Sequence, residues 1–505
     1  MERIHPALHS PERLVIECGV GAWNPRHHQL GDFVADRERA DEGVDVHCCR
    51  GAGLKRRLRG LRPGYGPGST AGAEQNHHEH GELGLHGSLA LLGLLGWCIG
   101  CAANPQSERG FGVGRGASPL GVRPAIEVLL SDSLHLIRNR RIGLVTNQSG
   151  VDARGERDLD RLIAAGARVT AVFAPEHGLR GVIDVDVAPE SRQDTDSATG
   201  LPVYLLHDGV RLHPPTAAML ANVDVLVIDL QDAGARYYTY PAAVATIMGA
   251  AAMRRLPTIV LDRPNPIGGA VQGDVQDSVT ASAVARFPIA MRHGMTIGEL
   301  ARLANSVLRL GAVLHVVPVQ GWRRSMDLAA TGLPFVPPSL NLRTLESLYH
   351  YPGLCLFEGT NLSVGRGSDA AFEQIGAPWL DTTAVLARLR LAPPAGVKFT
   401  AIAFTPHAPG DGKYPDTLVA GIRLTTTDRA AYDPTLTAVH LLATLRAVHP
   451  TDFAFRPAQF DRLAGGPELR EAVERGEAAT TIAKQWRGEL ARFREWRRPF
   501  LVYPE

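Results

Sequence analysis

From Arg141 onward, short apolar runs alternate with amphipathic stretches, the rhythm of βαβ units around a mostly parallel sheet. The apolar runs predict strands over 141–146, 168–174, 202–206, 223–230 and 257–261. Helical spacing fills the intervals: Leu159, Leu162 and Ile163 recur on one face of 156–165, and an Ala/Met-rich helix follows Tyr240. A further helix over 297–310 starts behind Thr296, with Glu299 at the position that closes a capping box, and a strand at 313–317 is stopped by Pro318. The pattern predicts a doubly wound, mostly parallel α/β sheet over 122–320.

After Gly321 the rhythm changes. A Pro-rich passage over 332–352 leads into a Gly/Asn/Ser-rich loop, then into a strand pair at 398–405 and 418–425 with helices at 382–391, 435–448, 468–475 and 478–494. Strands that pair locally among helices read as a second, smaller α+β domain over 321–505.

The front of the chain has no periodic apolar face. Residues 1–87 mix scattered His, Arg and Gly with Lys55-Arg56-Arg57, the Cys48-Cys49 pair and the cluster His77-His78-Glu79-His80. A metal site is one reading of that cluster; an unstructured extension, or a start codon placed too early, explains the same composition without a scaffold of fixed ligand spacing. Residues 88–121 hold a compact apolar run, Leu89 to Gly100, too short to span a bilayer but of the length of a secretory signal core. Gly100 before Cys101 is how a lipoprotein signal ends, so Cys101 is the expected lipid anchor and Ala102-Ala103-Asn104-Pro105 its tether. That places the protein outside the cytoplasm, in the periplasm or anchored to a membrane of the envelope. Beyond Cys101 only Cys355 remains, so no disulfide is expected inside the folded part.

Composition adds exclusions. With 45% apolar and 21% charged residues over 505 positions the chain can bury a large core, and its formal net charge of +1, without a sustained basic block, argues against nucleic acid as a partner. No metal motif and no glycine fingerprint accompany the sheet, so no cofactor is expected.

Ligands of an open parallel sheet bind beyond the carboxyl ends of its strands, and here those exits are polar. The first strand leads into Asn147, the second into Glu176 and His177, the fourth into Asp232, and the fifth into Asn265. Glu176 stands out: it directly follows a buried strand, between Pro175 and His177-Gly178, a rigid exit suited to present a carboxyl for general acid catalysis. Asp232 and Arg236 precede the aromatic run Tyr237-Tyr238-Thr239-Tyr240, whose rings suit a sugar face; a local Asp232–Arg236 pair with core tyrosines is the plainer reading. In the second domain Glu358, Asn361 and Arg366 lie in a loop loosened by Gly365 and Gly367.

These motifs, from Gly143-Leu144-Val145-Thr146-Asn147 and Ala174-Pro175-Glu176-His177-Gly178 through Asp229-Leu230-Gln231-Asp232, Arg236-Tyr237-Tyr238-Thr239-Tyr240 and Asp262-Arg263-Pro264-Asn265-Pro266 to Phe357-Glu358-Gly359-Thr360-Asn361 and Gly365-Arg366-Gly367, resemble the exo-β-N-acetylmuramidase family of bacterial glycoside hydrolases. The resemblance covers nearly all of the chain after about residue 120. It departs at Ser368-Asp369-Ala370-Ala371, where the family usually has Thr and a Pro before Phe372. It implies a Rossmann-like α/β domain joined to a smaller α+β domain, a site in the cleft between them, and release of N-acetylmuramic acid from the non-reducing end of peptidoglycan-derived muramic-acid glycans. On that reading Glu176 is the catalytic acid and Asp232 and Glu358 are candidates for its partner, a role the substrate's own acetamido group can also take. Arg236 or Arg366 would clamp the lactyl carboxylate, and Asn147, His177, Tyr238, Tyr240, Asn265 and Asn361 would complete the substrate-binding set. From a different class, a non-catalytic envelope lipoprotein that binds muropeptides would use the same aromatic and Arg residues.

Overall fold

A computed structural model describes residues 121–182, 193–209, 211–276, 278–279 and 282–505. The His77–His80 cluster, the apolar run from Leu89 and Cys101 lie outside the described residues.

Twelve strands are described: β1 (Arg141–Thr146), β2 (Arg168–Ala174), β3 (Gln193–Thr195), β4 (Pro202–Leu205), β5 (Val225–Asp229), β6 (Thr258–Leu261), β7 (Gln272–Val275), β8 (Ala290–Arg292), β9 (Leu314–Val317), β10 (Gln374–Ala377), β11 (Val397–Phe404) and β12 (Val419–Thr426). The helices are α1 (Ala125–Asp132), α2 (Asp158–Ala164), α3 (Tyr240–Met253), α4 (Ile297–Val307), α5 (Leu328–Thr331), α6 (Leu345–Leu354), α7 (Thr382–Leu389), α8 (Pro434–Val448), α9 (Pro457–Ala464), α10 (Glu468–Glu474) and α11 (Ala479–Arg497).

The main sheet runs β3-β4-β2-β1-β5-β6-β9, parallel except for the edge strand β3. The chain winds outward from β1 to β4, returns to β5 and winds the other way to β9, so the sheet is doubly wound with its switch point between β1 and β5. Alternation along the strands divides the core: Ile142, Leu144, Val225 and Val227 face α1 and α2, while Val145, Phe173, Leu226 and Ile228 face α3 and the second lobe. The second lobe is the antiparallel sheet β10-β12-β11 with helices around it. One apolar cluster runs from Val145 and Ile228 through Tyr237 and Tyr351 to Phe357 and Leu442, so the two lobes share a core.

The Pro-rich passage after Gly332 contains α6, which carries Pro352 inside it. Thr344 starts that helix, its Oγ1 accepting from Ser347 N at 2.9 Å. The capping box predicted at α4 forms: Thr296 Oγ1 accepts from Glu299 N at 3.3 Å and Glu299 Oε2 accepts from Thr296 N at 3.0 Å.

Candidate active site

Beyond β2 the chain turns sharply, because His177 and Gly178 both adopt left-handed backbone (φ +59° and +72°). A non-glycine residue in that region is strained, and such strain persists where the surroundings hold it. The turn leaves the Glu176 side chain half-buried beside the start of α3, where Thr239 Oγ1 donates a short hydrogen bond to Glu176 Oε2.

Glu176 lines a cleft of about 660 Å³ with Thr239, with Ala242, Ala243 and Thr246 of α3, and with His207. Burial depresses the His207 pKa against the opposing charges of Glu176 and Asp208, so the ring is neutral near pH 7. Its Nδ1 accepts from Gly209 N at 3.0 Å, which assigns the remaining proton to Nε2 and makes that atom the ring's donor. Arg211, Arg286 and Arg462 line the same cleft, the last reaching it from α9 in the second lobe.

Sequence reading finds Glu176 and misses the others. The strand-exit rule, applied to β4 as it was to its neighbours, would find His207; the three arginines come from loops and a helix with no local signature. Of the remaining expected residues, Asn147, Tyr238 and Tyr240 lie beneath the cleft. Asn147 Nδ2 donates to Tyr240 Oη at 2.6 Å, and the Tyr238 and Tyr240 hydroxyls both donate to Pro338 O, at 2.9 and 3.1 Å. Burial pushes both phenol pKa values up, with the Glu176 carboxylate adding to the rise. Both rings are buried rather than presented flat to a ligand, Tyr238 packing edge-on against Tyr351 with ring centres 6.2 Å apart and tilted against Tyr240 at 4.7 Å. His177 is buried behind Glu176.

The other candidates are engaged elsewhere. Arg236 is buried, with Nη1 on Asp274 O (3.3 Å) and Ile289 O (3.2 Å) and Nη2 on Leu463 O (3.1 Å) and Ala464 O (2.8 Å). It caps the C-terminus of α9 and thereby fixes the helix that carries Arg462; a clamp on substrate would require breaking those bonds. Asp232 is buried too, its Oδ2 accepting from Gly234 N at 2.8 Å and lying 3.3 Å from His293 Nε2. The local Asp232–Arg236 pair does not form.

Glu358 and Arg366 pair with one another, Arg366 Nε and Nη2 standing 2.7 and 2.6 Å from Glu358 Oε1, away from the cleft lining. Lys413, its pKa pushed down to about 8 by burial, closes that loop by donating to Phe357 O, Glu358 O and Leu362 O. Asn265 and Asn361 hold turns: Asn265 Nδ2 donates to Met295 O at 2.9 Å, and Asn361 Nδ2 to Asp452 O at 2.7 Å. Thus Glu176 alone of the expected catalytic carboxylates reaches the cleft among the described residues.

The architecture has solved counterparts. Two DUF1343 family proteins from Bacteroides fragilis NCTC 9343 are 31% and 29% identical, with TM-scores of 0.68 and 0.60; each match covers 76% of this chain and 100% or 99% of the other. The peptidoglycan beta-N-acetylmuramidase NamZ of Bacillus subtilis strain 168 is 38% identical over 415 residues, 82% of this chain and 97% of that protein. The family models described as Exo-beta-N-acetylmuramidase NamZ, N-terminal and C-terminal, match residues 142–346 and 349–503. The chain therefore belongs to the exo-β-N-acetylmuramidase NamZ family.

Proposed function

We propose that the protein is an exo-acting glycoside hydrolase that releases N-acetylmuramic acid from the non-reducing end of peptidoglycan fragments, with Glu176 as the acid that protonates the departing glycosidic oxygen. The observation that carries this reading is the placement of Glu176: at a strand exit, oriented by Thr239, in a cleft wide enough for a sugar. The relative's activity supports the substrate class. No observation favours the non-catalytic muropeptide binder.

We further propose export, with Cys101 as a lipid anchor, a reading supported by the apolar run from Leu89 and the Gly100-Cys101 step. The intact mass of the native protein tests it: a mature chain starting at a lipid-modified Cys101 is expected, and one starting at Met1 overturns it.

For the hydrolase, the test is release of chromophore from a chromogenic β-N-acetylmuramide by the purified protein and by Glu176→Gln. The variant is expected to lose kcat by on the order of 10²–10⁴-fold with KM little changed. Turnover unaffected by the substitution moves the acid to another group, and absence of turnover from both, with tight muropeptide binding, favours the binder.

A further inference from the structure

Three guanidinium groups meet one carboxylate in the cleft. Arg211 arrives from the loop after β4, Arg286 from the segment between β7 and β8, and Arg462 from α9. Arg211 and Arg462 are exposed, so water solvates them. Arg286 is half-buried, its Nε is shut off from solvent with no acceptor, and its terminal nitrogens have no acceptor among the described residues. The buried Nε is closed to a ligand, but Arg286 lines the cleft and the two terminal nitrogens of a guanidinium form a fork that a carboxylate fills with two parallel bonds.

The proposed substrate supplies one such group. N-acetylmuramic acid is N-acetylglucosamine bearing a lactyl ether, and the lactyl carboxylate is its anion. The two arginines that motif reading would assign to it are occupied, Arg236 by backbone carbonyls and Arg366 by Glu358. We propose that Arg286 binds the lactyl carboxylate and is thereby the residue that selects muramic acid over uncharged amino sugars. Ala242, Ala243 and Val284, in the same lining, give the lactyl methyl an apolar wall. The inference rests on the hydrolase reading and adds the residue that sets its specificity.

The test compares kcat/KM for a chromogenic β-N-acetylmuramide and for its lactyl methyl ester, which keeps the shape and removes the charge. The native protein is expected to prefer the acid. In Arg286→Gln that preference collapses by on the order of 10²-fold through loss on the acid alone, and Arg286→Lys restores part of it. Equal losses on both compounds, or an acid preference left intact in Arg286→Gln, overturn the assignment. Should the native protein turn over neither compound, the hydrolase reading fails by itself; calorimetric binding of free N-acetylmuramic acid then decides Arg286, with affinity lost in Arg286→Gln supporting it and affinity retained overturning it.

Discussion

Arg236 shows how a motif residue can be informative without touching a ligand. Its Nη1 and Nη2 each serve two carbonyl oxygens, two on the β7–β8 side and two at the end of α9, and Gly465 makes room beside it: a Cβ at that position would lie 3.3 Å from Nη2. From sequence, an Arg among tyrosines after a strand exit points equally to a clamp or to a brace, because local pattern does not contain the partners, which lie up to 228 residues away. The two roles predict opposite phenotypes. Arg236→Met is expected to lower unfolding stability by about 3 kcal/mol, since it leaves buried carbonyls without donors, while the preference for acid over ester persists in the molecules that remain folded. Urea denaturation and the paired kcat/KM measurement check this, and a stable variant that no longer prefers the acid would return Arg236 to the substrate.

At the scale of elements, the apolar run was sufficient where a strand is buried along nearly its whole length, as in β1, β2, β5 and β6. β1 and β2 occupy the predicted ranges; β4, β6 and β9 differ from theirs by one residue at one end, and β5, β11 and β12 by one or two residues at both ends. What it missed has physical reasons. In β3 Gln193, Asp194 and Thr195 are all exposed at a sheet edge and carry no apolar signal. β7 and β8 are short, and α6 is masked by the Pro352 it contains. Gly143 makes a sharper test of the central sheet than any of these. It sits in β1 between β2 and β5, where a Cβ would meet Leu226 Cδ2 at 2.8 Å, Phe173 Cε2 at 2.9 Å and Val223 Cγ1 at 3.1 Å. Gly143→Val gains intrinsic strand preference yet overpacks that contact, and the second effect is the larger: a loss of about 1–3 kcal/mol is expected, seen as a lower urea midpoint at unchanged slope. A higher midpoint would show that the neighbouring side chains move aside.

Across the whole molecule, the strand exits locate Glu176 but not the cleft around it, since Arg286 and Arg462 reach the site only through tertiary packing. The same packing brings the C-terminus back to the first sheet. Tyr503 stacks edge-on against Trp322 with ring centres 4.8 Å apart, accepts from Val319 N at 2.8 Å and donates to Asp262 Oδ2 at 2.8 Å. Asp262 also accepts from Thr296 Oγ1 at 2.7 Å and Gly298 N at 2.8 Å, so β6, α4 and the C-terminal segment converge on one buried carboxylate. Burial, with the nearby Glu299 carboxylate second, raises its pKa to about 7 despite those donors. The folded protein therefore binds a proton at Asp262 that the unfolded chain releases near the ordinary value of 3.8. From about pH 4 to about pH 7 the folded state holds more protons, so this group's contribution favours folding at the acid end and weakens as pH rises, by up to about 4 kcal/mol, and then levels off. Against Asp262→Asn, which cannot titrate, the native protein's relative stability should fall across that window and stay constant above it. Urea denaturation of both proteins at intervals from pH 4 to 8 measures the difference directly; a difference that is constant with pH would mean that Asp262 titrates alike folded and unfolded, and that the donors from Thr296, Gly298 and Tyr503 fully offset its burial.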